Sequence, residues 1–326
     1  MADDPQLSVQ QIRNIVDRDI DATQAFDVAT LNGHVNTCVS LCRQALEKCG
    51  LAGFGNDEKA HFEAFIDGMR HSHDSIRKLL RGEQSPSAVE ALTIARLQVE
   101  NVYSICFLLQ SPKNLRLFLK NNWKKKYVRF LLEREELAHL PRFADYYSNT
   151  GLESLGKLQA VSSVTDEERR TIDIQQLGYP FGPKPQLVRM PDFPTPGGVI
   201  REISNLDQKK MLSRLYPEYE YLCSFAHGNS NAVFFKTMAD VRSPHHREHP
   251  KSQIDDFYQT QILEPPIIYS GLSTVVAATE IAAVCPASIE LRTELIKAWN
   301  FLTSTSILTF HAWQMRAKRV LGIVGE

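Results

Sequence analysis

What this chain has little of narrows the field first. No stretch alternates apolar and polar residues in the two-residue period of a half-buried strand, so β architectures are set aside. An excess of one charge is missing as well. The 37 Lys and Arg balance 38 Asp and Glu for a formal charge of -1, which provides no global field to draw the chain to nucleic acid or an anionic membrane. The six cysteines, Cys38, Cys42, Cys49, Cys106, Cys223 and Cys285, include no CxxC pair. That spacing argues against a zinc ribbon or a secreted disulfide frame, and they read as reduced, mostly buried thiols. The opening "MADDPQLSVQ" has no basic segment leading into an apolar run, so no secretory signal is expected and the chain is read as cytoplasmic. There is no glycine-rich phosphate loop, no G-x-S-x-G elbow and no repeat of fixed period; no cofactor and no resident metal are expected.

What is present is helix. Over 326 residues, 43% hydrophobic and 23% charged, apolar positions recur at helical spacing, and the length suffices for a substantial core without disulfides. The fold class expected is all-α: one multi-helix bundle of about ten helices spanning 1–326. N-terminal helices lie within 7–177, a long Pro/Gly-rich loop covers 178–204 and C-terminal helices fill 205–326. The spacing predicts helices near 7–20, 22–49, 57–82, 86–110, 112–140, 142–160 and 165–177. Ser111 with Pro112 starts one of them, and Thr165 with Glu168 forms a capping box for another. After "GYPFGPKPQLVRMPDFPTPGG", with six prolines and four glycines, helices are predicted at 205–214, 217–227, 251–262, 266–285 and 287–322. The segment "IIYSGLSTVVAATEIAAVC" is nearly long enough to span a bilayer, but Glu280 and its small polar residues favour an interior helix, and no membrane association is expected.

Chemistry concentrates in two places. The apolar helix "SAVEALTIARLQVENVYSICFLLQ" carries Arg96 and Glu100 four residues apart, with Tyr103 within about a quarter turn at ~100° per residue. An apolar helix bearing such a pair can set a planar guanidinium beside a polar cavity, where it suits carboxylate or phosphate; the alternative is an ion pair at the surface. Farther on, "YEYLCSFAHGN" is expected to end a helix begun at Pro217, with Gly228 as its stop and His227 at the carbonyl end of the dipole, which favours imidazolium. Structurally, His227 could simply cap its own helix. Tyr221 in this stretch and Glu280, a carboxylate in an apolar helix that needs a partner, complete the candidate ligand-binding set.

Together, the R-x-x-x-E of Arg96 and Glu100 and the later "YEYLCSFAHG" resemble the DUF5677-like family of bacterial helical proteins of unknown function. The resemblance spans roughly residues 60–285. It implies an all-α bundle with an Arg/Glu/His cluster and no established reaction.

Other constellations compete. Glu58 with His61 and Glu136 with His139 have the Glu-x-x-His spacing of di-iron bundles, yet both lie near helix ends in charged surroundings. Lys120 and Lys124 belong to a basic stripe on one helix, and Arg242 and His249 resemble the Arg/His element of HEPN ribonucleases. The reading adopted is an uncharacterised helical protein whose partner is a small polar or anionic ligand, bound near Arg96, Glu100 and His227. A HEPN-like ribonuclease or nucleic-acid-binding defence protein is the alternative, and a structural or interaction protein without a pocket is another.

Overall fold

The computed structural model describes residues 27–80, 88–178, 187–226, 263–285 and 289–323. The helices predicted at 7–20 and 251–262 lie outside them. The chain is an all-α multi-helix bundle, with no strand among the described residues. In chain order the elements are α1 (Val28–Cys49), α2 (Asn56–Leu80), α3 (Ala88–Leu108), α4 (Pro112–Leu137), α5 (Pro141–Asp145), a π-helical turn (Tyr146–Thr150), α6 (Gly151–Val161) and α7 (Asp166–Leu177). They continue with α8 (Pro196–Glu202), α9 (Leu206–Ala226), α10 (Glu264–Val284), α11 (Ile289–Thr303), α12 (Ile307–Ala312), a second π-helical turn (Trp313–Ala317) and α13 (Lys318–Val320). Two compact units result, one from 1–109 with 196–326 and one from 110–195.

In the first unit α10 packs against α1, α2, α3 and α11, while α9 lies along α3. α10 is long and apolar enough to cross a bilayer, but its sides are taken by these neighbours and most of it is buried, so a membrane protein is not indicated. Several of its polar residues are satisfied by its own backbone or a neighbouring helix. Thr274 and Thr279 donate to carbonyls one turn back, and Trp299 Nε1 donates to Thr279 Oγ1 at 3.0 Å. The second unit builds its core on α4, where Trp123 stacks on Tyr127 at 4.6 Å among Phe130, Leu131, Tyr147, Val164, Ile172 and Met190.

Local chemistry sets the ends. Asp27 caps α1, its Oδ1 accepting from the amides of Ala29 and Thr30, so the helix starts at Val28 rather than 22. The Ser111 cap and the Thr165–Glu168 capping box both form as expected.

Three further boundaries differ from the pattern. Where two helices were predicted, Leu206–Ala226 is one, with Pro217 in its interior. The missing N–H leaves one carbonyl without its helical partner, and the buried stripe of Leu212, Leu215, Leu222 and Phe225 outweighs that loss. The predicted 287–322 helix breaks at 304–306, where Ser306 caps α12 and buried Thr309 donates to Leu302. The end of the Pro/Gly loop is helical, with Pro196 opening α8.

Candidate functional site

α3 and α9 lie side by side, and their facing residues define the site. Arg96 Nη2 sits 3.0 Å from Glu100 Oε2, one turn along the same helix. Opposite, α9 presents Tyr219 and Cys223, also one turn apart. Arg96 donates from Nε to Cys223 Sγ at 3.3 Å and from Nη2 to the Tyr219 hydroxyl at 3.2 Å, and its Cζ lies 5.5 Å from the Tyr219 ring centroid. Burial works against the charge, but the hydrogen bonds to Cys223 and Tyr219 outweigh it and hold the guanidinium above its ordinary pKa. Arg96 is 22% exposed and Glu100 37%. The pair is therefore partly buried between two helices rather than spread on an open surface.

The other expected members occupy different places. Tyr103 is fully buried and donates to the carbonyl of Leu212 at 3.0 Å; burial pushes its phenol well up. Its ring meets Tyr219 edge-on at 6.0 Å and Tyr216 at 6.5 Å, so it braces the face that holds Arg96. Tyr221 stands about 200° round α9 from Tyr219; it is 41% exposed and packs edge-on against Phe225.

Glu280 is 2% exposed and held in a fork by Arg316, at 2.8 and 2.9 Å, while Gln208 donates to it at 2.7 Å. That carboxylate has its own cation, and Arg96's partners are Glu100, Tyr219 and Cys223. Two polar groups form, not one. His227, Arg242 and His249 lie outside the described residues.

On α4, Lys120 is bound to Glu168 at 2.7 and 2.9 Å, and Lys124 to Asp192 at 3.1 Å. Both lysines of the basic stripe singled out for a phosphate backbone face carboxylates instead. Glu58 caps the start of α2, accepting from Gly55 N at 2.9 Å. Among the described residues no group of three or more His, Cys, Asp or Glu stands in a metal-binding arrangement.

Tyr219 and Cys223 were within reach of sequence reasoning, since their i,i+4 spacing marks one helix face just as that of Arg96 and Glu100 does. Arg316 and Gln208 had no such signal. Each stands among other polar residues, Gln208 beside Asp207 and Lys209 and Arg316 shortly before Lys318 and Arg319, and only packing brings them to Glu280. No family model, no curated protein and no solved structure matches this chain.

Proposed function

We propose that this chain, a cytoplasmic bacterial protein of the DUF5677-like kind, binds a small polar or anionic ligand at Arg96. One observation carries the reading. Nε and Nη2 of the guanidinium are tied to Cys223, Tyr219 and Glu100, whereas Nη1 has no hydrogen-bond partner among the described residues. A guanidinium oriented beforehand, with Nη1 left to donate, loses little freedom on meeting a carboxylate or phosphate oxygen, which favours binding over the same contact from a loose side chain. Glu100 steers the fork and would repel a ligand anion placed too close to it. The Tyr219 ring floors the site, 5.5 Å from Arg96 Cζ.

Thermal melts of the full chain with inorganic phosphate and with a small dicarboxylate test this. A ligand at a hundred times its dissociation constant stabilises by about 2.7 kcal/mol, a rise of several degrees for a protein of this size. The rise should disappear in Arg96→Gln. If neither anion moves the midpoint, or if Arg96→Gln responds as the wild type does, the Arg96 group is structural and the chain is an interaction protein.

A further inference from the structure

The corner where α1 and α10 both end brings two cysteines together. Cys49 is the last residue of α1 and is exposed. Cys285 follows the last residue of α10 in extended backbone and is buried. The Ala52 amide donates to the Val284 carbonyl at 3.4 Å, so the turn leaving α1 is bonded to the residue next to Cys285. Lys59 reaches the same corner, its Nζ donating to the carbonyl of Glu47 at 3.4 Å.

We propose that Cys49 and Cys285 are a thiol pair that closes into an intrachain disulfide, tying the end of α1 to the end of α10. Exposure gives the two sulfurs different tasks. Cys49 meets the oxidant, a small-molecule disulfide such as oxidised glutathione. Its thiolate attacks one sulfur, forming a mixed disulfide and releasing one glutathione thiolate. Cys285, after losing its proton to solvent, attacks the Cys49 sulfur and releases the second glutathione. Two cysteine thiols are oxidised and one small disulfide is reduced to two thiols.

Burial and the neighbouring Cys49 push the Cys285 thiol up, while Lys59 pulls it down, so the second step quickens toward alkaline pH. A disulfide needs its Cα atoms about 4.4–6.8 Å apart. Gly50, next after Cys49, turns the chain at the end of α1 with a φ of 68°, where side chains other than glycine's are strained. Cys42, fully buried on α1 and near enough for Cys285 to act on its thiol, is the competing partner for Cys285.

The experiment treats the reduced full chain with oxidised glutathione at pH 8, quenches with acid, unfolds the chain in excess N-ethylmaleimide so that buried thiols are capped as they emerge, and digests with trypsin. Cleavage after Lys48 and Lys59 isolates Cys49 on a short peptide, apart from Cys38 and Cys42, which lie before Arg43. A peptide 49–59 joined to the one containing Cys285, absent from Cys49→Ser, is the expected result. Cys49→Ser alters an exposed position and should leave the fold intact. Cys49 found only as its glutathione adduct, or Cys285 joined to Cys42 or to a second chain, would overturn the pair.

Discussion

His73 sets the pH behaviour at the scale of single residues. It is fully buried on α2, its Nδ1 is 2.6 Å from Ser270 Oγ on α10, and its Nε2 has no hydrogen-bond partner among the described residues. Desolvation, then the nearby Arg77 charge, lowers its pKa to about 4, with Asp74 opposing. In the unfolded chain an ordinary histidine titrates near ~6.5, so below that pH the unfolded state takes up a proton that the folded state refuses. This contribution to stability is present in full above 6.5 and is lost as the pH falls toward 4. The loss is on the order of 3 kcal/mol. Urea denaturation at stepped pH, comparing wild type with His73→Gln, isolates it from the general effect of protonating carboxylates; parallel curves would rule it out. The same scale shows the limit of reading charges from sequence. Arg96 and Glu100 were legible because helical spacing alone makes neighbours of them. The sequence shows that Glu280 needs a partner, but Arg316 becomes that partner only through packing between distant helices.

At the scale of the element, the close approach of α1 to α10 depends on one glycine. A Cβ on Gly271 would lie 2.7 Å from Leu31 Cδ2, and Leu31 is fully buried and cannot swing away. Helix propensity favours Gly271→Ala by about 1 kcal/mol, while forcing a methyl into a filled core costs about 1–3 kcal/mol. A net loss of about 1 kcal/mol is expected in chemical denaturation. In a Leu31→Ala background the same change should become stabilising, because the methyl then occupies vacated space. A loss in both backgrounds would show that the contact is not the cause. Most helix ends were legible because caps are local: Ser111, Thr165 and the glycine after α1 act within a few residues. Pro217 misled for a related reason. A proline inside a helix has a local cost, whereas the buried stripe that outweighs it depends on what α9 packs against.

At the scale of the whole molecule, the division into two units predicts two cores that respond separately. Trp123 is 1% exposed at the centre of the second unit, and its Nε1 donates to the Leu155 carbonyl at 3.0 Å. Trp123→Ala should cost about 3–5 kcal/mol. In amide hydrogen exchange the loss of protection should be concentrated in α4, α6 and α7, with α3 and α10 keeping theirs. Uniform loss across both units would mean one cooperative core. By itself the sequence determined that the chain is helical, where most helices begin and end, that α10 belongs inside, and that Arg96 and Glu100 share a face. These follow from periodicity and capping, which act over a few residues. Only the tertiary structure decided that Tyr219 and Cys223 hold Arg96, that Glu280 belongs to Arg316 and Gln208, and that residues 110–195 form their own unit. Those outcomes depend on which helices meet, and that is settled by fitting buried surfaces and satisfying buried polar atoms across the whole chain at once.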